Sequence, residues 1–146
     1  MNNQNWAVLV PELTCRNIDV SKKFYCNIVG FSMTFEREED RFIYLDLGGA
    51  QLMLEERHEG SWETGPLAPP FGRGINLQIE VEALQPILDR FAQAGLSLFR
   101  EAEEVWYRED DIEHGQIEAL AQDPDGYLLR FVEILGTRPV ASPGPA

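Results

Sequence analysis

One order of apolar residues runs through the chain twice, and this repetition limits the folds open to it. Trp6–Leu13, with Ala7-Val8-Leu9-Val10 at its centre, reads as a short strand that Pro11 bends or places at an edge. Asn17 or Asp19 then caps a helix whose Val20, Phe24 and Ile28 fall four apart, and Gly30 supplies its left-handed end. Phe31–Phe35 and Phe42–Leu47 alternate apolar with polar residues, and Gly48-Gly49 turns the chain into Ala50–Leu54. The order then restarts. Ile75, Leu77 and Ile79 alternate as in a half-buried strand. Leu84, Ile87, Leu88 and Phe91 form a helical stripe with Pro86 in its first turn and Gly95 at its close. Leu96–Phe99, Gln116–Ala121 and Tyr127–Ile134 supply three more strands, the last two joined by an Asp123-Pro-Asp-Gly126 turn. Val10 to Gly30 and Ile75 to Gly95 each span 20 positions, so a duplicated strand-helix-three-strand unit is the economical reading.

Between the copies, residues 56–73 are rich in Pro and Gly and read as a linker, with Trp62 and Phe71 as isolated aromatics. Module one is thus 6–55 and module two 74–135, within a single domain, 1–135; the Pro/Gly/Ala-rich tail 136–146 is expected to be disordered. At 146 residues and 44% hydrophobic, the chain can bury one real core. Its apolar runs fall well short of the roughly 20 residues that cross a bilayer, and its start lacks the basic and apolar regions of a signal peptide. No membrane partner is expected, and the reading is cytoplasmic. A net charge of -13 repels phosphate backbones, which argues against nucleic acid and in favour of cationic partners. Cys15 and Cys26 form no CxxC pattern and read as reduced thiols; two histidines, His58 and His114, are too few for a histidine-rich metal centre.

Leu13-Thr-Cys-Arg-Asn-Ile-Asp-Val-Ser21, followed by Phe24-Tyr25 and Val29-Gly30-Phe31, resembles the first module of the vicinal oxygen chelate superfamily. That superfamily includes glyoxalases, extradiol dioxygenases, fosfomycin-resistance enzymes and bleomycin-resistance proteins. Asp123-Pro-Asp-Gly-Tyr127, before an apolar strand ending in Glu133, is the most specific part of the resemblance, which extends over residues 6–135. It implies an α+β fold of two tandem βαβββ modules whose curved sheets surround a cavity, completed in a homodimer. In metal-dependent members the ligands come from the first and fourth strands of each module, and the flanking motifs carry those positions to Val10, Met53, Asn76 and Arg130. None is an imidazole or a carboxylate, and an Arg adds positive charge where a metal would sit. A shift of one residue brings Glu55 into play but leaves Val10 and Arg130. The resemblance is therefore to the bleomycin-resistance-like branch: ligand sequestration, as in antibiotic resistance, with no metal, no cofactor and no catalytic residue expected. The alternative is a metal-dependent glyoxalase- or dioxygenase-like enzyme, with Glu55, Glu133 and His114 as the nearest ligands.

For binding, the candidate residues are Trp106, Tyr107, Arg130, Asn76, Met53, Trp62 and Phe71. Trp106-Tyr107 forms either a stacking wall for a planar ring or a cover for the sheet or dimer contact. Trp62 and Phe71 either close over the cavity or anchor their own loop. Arg130 pairs with a ligand carboxylate or phosphate, or with an internal carboxylate such as Glu12 or Glu80. The acidic runs Glu36–Asp40 and Glu101–Glu113 either attract a cationic ligand or are solvated faces. A small, cationic, partly planar ligand is the expected partner.

Overall fold

The computed structural model describes residues 5–141. Two open four-stranded sheets, ordered β1-β4-β3-β2 and β5-β8-β7-β6, each carry one helix. Module one consists of β1 (Glu12–Cys15), α1 (Ile18–Lys23), β2 (Ser32–Arg37), β3 (Phe42–Leu47) and β4 (Ala50–Glu56); module two consists of β5 (Asn76–Glu80), α2 (Gln85–Gln93), β6 (Arg100–Glu109), β7 (Ile112–Gln122) and β8 (Leu128–Pro139). The expected α+β fold of two tandem βαβββ modules is the one observed. In each sheet the first strand pairs parallel with the fourth, and the remaining neighbours pair antiparallel.

Local chemistry accounts for the helices. The Asn17 side chain accepts from the backbone of Asp19 and Val20, capping α1. The helix then widens into a π-helical turn, Phe24–Val29, which Gly30 ends at φ 106° by donating to Tyr25 O. In α2, Pro86 occupies the first turn, and Glu133 of β8 accepts from the Leu84 N–H in place of a polar cap.

Three strand boundaries differ from expectation. The apolar run Ala7–Val10 lies outside β1, with Val8 and Leu9 exposed, and the strand starts after Pro11 at Glu12. Leu96–Phe99 is irregular, and β6 is instead the charge-rich segment that follows it, an edge strand for which solvated side chains suffice. Residues 136–139 of the expected disordered tail continue β8, pairing with β7 from Gly136↔Gly115 to Pro139↔Ile112. The rest of that tail, 142–146, lies outside the described residues.

The strand pleat sorts side chains onto two faces. Leu13, Cys15, Ile43, Leu45, Leu52 and Leu54 on one side of sheet one, and Ile79, Ala119, Ala121, Leu129 and Phe131 on one side of sheet two, join the buried helix residues in a single core. Phe24 meets Phe91 edge-on at 5.7 Å, and the Arg90 guanidinium donates to the carbonyls of Ile28 and Val29 (2.6 and 3.0 Å).

A second seam between the modules is polar. Asp123 Oδ1 accepts from the N–H groups of Asp125 and Tyr127, folding the turn on itself, while Oδ2 accepts from the buried Tyr25 hydroxyl at 2.7 Å. Arg16 pairs with Asp125 at 2.8 Å, and Tyr127 donates to Thr14 O. Gly126 is required here: its φ is 103°, and a Cβ would lie 2.5 Å from Pro70 Cα. The motif that carried the resemblance thus fastens module two to module one.

Candidate functional site

The other face of each sheet is left open by its own module. On sheet one, the register Glu12↔Met53↔Tyr44 and Thr14↔Glu55↔Phe42, with Phe35↔Tyr44 and Arg37↔Phe42, places these residues on one face. Of these, Glu12, Thr14, Arg37, Met53 and Glu55 border a cavity of about 850 Å³ whose lining also includes His58 and Trp62, while Phe42 and Tyr44 are buried beside it. Phe35 stacks on Tyr44 with centroids 5.2 Å apart, and Trp6 meets Tyr44 edge-on at 5.1 Å. Gln51 holds the N-terminal segment in place, its side chain accepting from Ala7 N and donating to Asn5 O and Asp46. The Arg37 guanidinium lies 4.1 Å above Phe42, so one planar cation already rests on this aromatic surface.

Glu12 faces the same space. Partial burial and, secondarily, the neighbouring Glu55 raise its carboxyl above the usual range, with Arg37 opposing the shift. His58 Nε2 meets Glu55, and its Nδ1 accepts from Gly60 N–H at 3.0 Å. Both ring nitrogens are thus engaged, and the ring holds the linker loop. His58 N–H donates to Ser61 Oγ, Arg57 pairs with Glu63 at 2.7 Å, and Trp62 stands exposed at the cavity mouth.

On sheet two, the open face carries Asn76 and Gln78 of β5, Arg130 of β8, Gln116 and Glu118 of β7, and Tyr107 of β6. Glu118 is buried and organises them. Its Oε1 accepts from the Tyr107 hydroxyl at 2.8 Å, its Oε2 from Gln116 at 2.9 Å, and Arg130 Nη1 lies 3.7 Å from Oε2. That bond to Glu118 is the leading cause of the raised Tyr107 pKa. Arg130 therefore has an internal carboxylate partner, and it is neither Glu12 nor Glu80.

The geometry separates other candidates. Trp106 and Tyr107 are successive residues of a strand, so they point to opposite faces and cannot stack on one ring. Trp106 lies over Gly115, where a Cβ would come within 2.5 Å of its ring, and carries the Arg138 guanidinium at 3.9 Å on the indole. Phe71 is 2% exposed; it packs against Tyr127 and donates its N–H to Asp125 O, anchoring the linker to the Asp123 turn. Met53 and Trp62 belong to the sheet-one cavity; Asn76 and Arg130 belong to the other face. Phe35, Phe42, Tyr44 and Glu12 are not among the binding candidates drawn from the sequence, where Glu12 enters only as a possible partner of Arg130. Their period-two spacing along β2 and β3 was the available signal, and placing β1 too early hid Glu12.

The register shifts two of the metal positions: Val10 precedes β1, and the first-strand residues opposite Met53 and Arg130 are Glu12 and Gln78. The donor set becomes Glu12, Met53, Gln78 and Arg130. It contains one hard anionic donor, one soft thioether and a fixed cation, which does not fit a divalent metal. Among the described residues, no three His, Cys, Asp or Glu side chains converge on a common point.

Comparison with known proteins places the chain. The model of the glyoxalase/bleomycin resistance protein/dioxygenase superfamily matches residues 5–131. No curated protein sequence matches. Among solved structures, a member of that superfamily from Vibrio splendidus 12B01 is 33% identical over 85% of this chain and 95% of its own, with a TM-score of 0.40. TioX from Micromonospora sp. ML1 is 19% identical over 90% of this chain and all of its own, with a TM-score of 0.67. Lactoylglutathione lyase from Agrobacterium tumefaciens is 16% identical over 87% and 92% respectively, with a TM-score of 0.57. The duplicated modules, the Asp123 turn that joins them and the family match lead to one conclusion: the chain belongs to the glyoxalase/bleomycin resistance protein/dioxygenase superfamily.

Proposed function

We propose that this protein binds a small cationic, partly planar molecule of the bleomycin type without transforming it, in a crevice that a second copy of the chain completes. The observation that carries the reading is the aromatic face of module one, where Phe42 already supports a guanidinium and Glu12 offers a carboxylate beside it. Sequestration needs such walls and a complementary charge, and needs no nucleophile or general base. His58, the titratable ring nearest the cavity, has both nitrogens occupied. The second copy is invoked because the open faces expose Phe35 and Tyr107, apolar surface that a partner covers. Light scattering at micromolar concentration is expected to give a dimer, and monomer alone would remove the shared crevice. Among the described residues no helix is long and apolar enough to cross a membrane; a cytoplasmic site of action is part of the proposal.

The test is titration of tryptophan fluorescence with bleomycin at low and high salt. Trp6 and Trp62 border the face, so a saturable change is expected, with affinity falling as salt screens the charges. Glu12→Gln is expected to weaken binding about fivefold at low salt and much less at high salt. No saturable change at either salt, together with no protection of bleomycin-treated cells, would sink the reading.

A further inference from the structure

A second cleft lies on the outer side of the module seam, and it shares no lining residue with the sheet-one cavity. Its volume is about 660 Å³, within the 300–1,000 Å³ range typical of small-molecule sites. One wall is the end of the first helix and the β3–β4 turn, through Val29, Gly30, Leu47 and Gly48. The other is the β5–α2 connection and the start of α2, through Val81, Ala83 and Pro86, with Ile134 of β8 also in the lining; Val29 and Ile87 lie buried in the core at its floor. Both modules are therefore needed to form it.

The charges at this cleft decide what fits. Arg90 lies at its base, but its Nε and Nη2 are given to the carbonyls that end the first helix, and Gly30 leaves room for that approach, since a Cβ would sit 3.1 Å from Nη2. Its positive charge is matched there by the negative end of the helix dipole. Glu80 and Glu82 also line the cleft. Two other charged residues of β8 are engaged elsewhere: Arg130 with Glu118, and Glu133 with the Leu84 N–H. Two carboxylates without a partner among the described residues thus stand over apolar walls, in a chain of net charge -13. We infer that this cleft is a second binding site, for a small apolar body bearing a primary ammonium group: Leu47, Val81, Pro86 and Ile134 border the body, and Glu80 and Glu82 receive the ammonium. The inference does not rest on the function proposed for the sheet-one face.

The test uses the full chain, isotope-labelled, with three probes of one shape: 2-phenylethylammonium, the neutral 2-phenylethanol and the anionic phenylacetate. Amide shifts are followed by NMR. The expected result is saturable movement of Gly30, Gly48, Val81, Ala83 and Ile87 with 2-phenylethylammonium, at least about fivefold weaker binding of the alcohol, and weaker still of phenylacetate. The exposed Ala83→Trp should abolish these shifts by filling the cleft. Glu80→Gln with Glu82→Gln should remove the preference for the cation yet leave the alcohol unchanged. Shifts confined to Tyr44, Met53 and Glu55, a preference for phenylacetate, or no saturation would overturn the inference. So would cleft shifts that follow protein concentration without any probe, since those mean a second copy covers the cleft. Glu12→Gln separates the two sites, because it should weaken bleomycin binding and leave the 2-phenylethylammonium response intact.

Discussion

Tyr25→Phe isolates the contact on which the joining of the two modules depends. The ring would remain in place, edge-on to Phe24 at 5.1 Å and to Phe31 at 5.7 Å, so no cavity opens. Only the hydroxyl is lost, and with it the 2.7 Å bond to Asp123 Oδ2. Asp123 is 5% exposed, so water cannot replace that donor, and its remaining bonds, from Asp125 N and Tyr127 N, both fall on Oδ1. A hydrogen bond to a buried charged acceptor contributes about 2 kcal/mol, which for a chain of this size is roughly 4–8 °C in Tm. The effect also has a pH signature. Burial raises the Asp123 carboxyl above its ordinary 3.8, while the Tyr25 bond pulls it down. A carboxyl raised on folding favours the folded state when protonated, and that contribution is lost as pH rises through the folded-state value. Removing the hydroxyl raises the folded value further and deepens the loss. The gap between wild type and variant should therefore be full at pH 7.5 and shrink as pH falls through the raised folded-state range of Asp123. Urea unfolding at several pH values, with the m-value checked for constancy, measures it. A difference under about 0.5 kcal/mol, or one that does not change with pH, would refute the role given to Asp123.

The remaining predictions concern the seam and the walls. Gly126→Ala should cost at least about 2 kcal/mol by thermal or urea unfolding, since it combines a left-handed backbone with a contact to the Pro70 backbone that cannot yield. Trp106→Ala should leave bleomycin affinity within about twofold while lowering stability by about 1 kcal/mol, because the indole is held between Gly115 and Arg138 on the face away from the crevice. Trp62→Ala should do the reverse, weakening affinity several-fold in the same titration with stability unchanged, since the side chain is exposed at the cavity mouth.

The duplication was legible because its marks are local: apolar spacing of four along each helix, a glycine closing each, and a turn before the last strand. Gly30 and the Asp123 turn behave as such signals predict. What was misread depended on context. Ala7–Val10 has the composition of a buried strand, but its backbone crosses the open end of sheet one, with Val8 and Leu9 exposed to solvent. Arg100–Glu109 lacks alternation because it is an edge strand paired on one side only, so nothing forces apolar residues onto it. At the site, adjacency in sequence suggested a Trp106-Tyr107 wall, whereas a strand sends neighbours to opposite faces. Arg130 was recognised as a charge needing a partner. Which carboxylate it meets depends on the β7–β8 register and on a bulge at Gly115/Gln116, neither of which local spacing encodes.

The central claim is that the crevice binds its ligand through protein side chains alone, and calorimetric titration with metal-free bleomycin tests it most directly. The protein would first be stripped with a chelator and dialysed, then titrated as it stands and again after loading with Ni, Zn, Mn or Fe(II). With Glu12, Met53, Gln78 and Arg130 at the positions that would hold a metal, the expected affinity is the same within about twofold in every case, at one site per chain or per crevice. Binding that appears only after one metal is restored, with that metal retained in stoichiometric amount through dialysis, would contradict it.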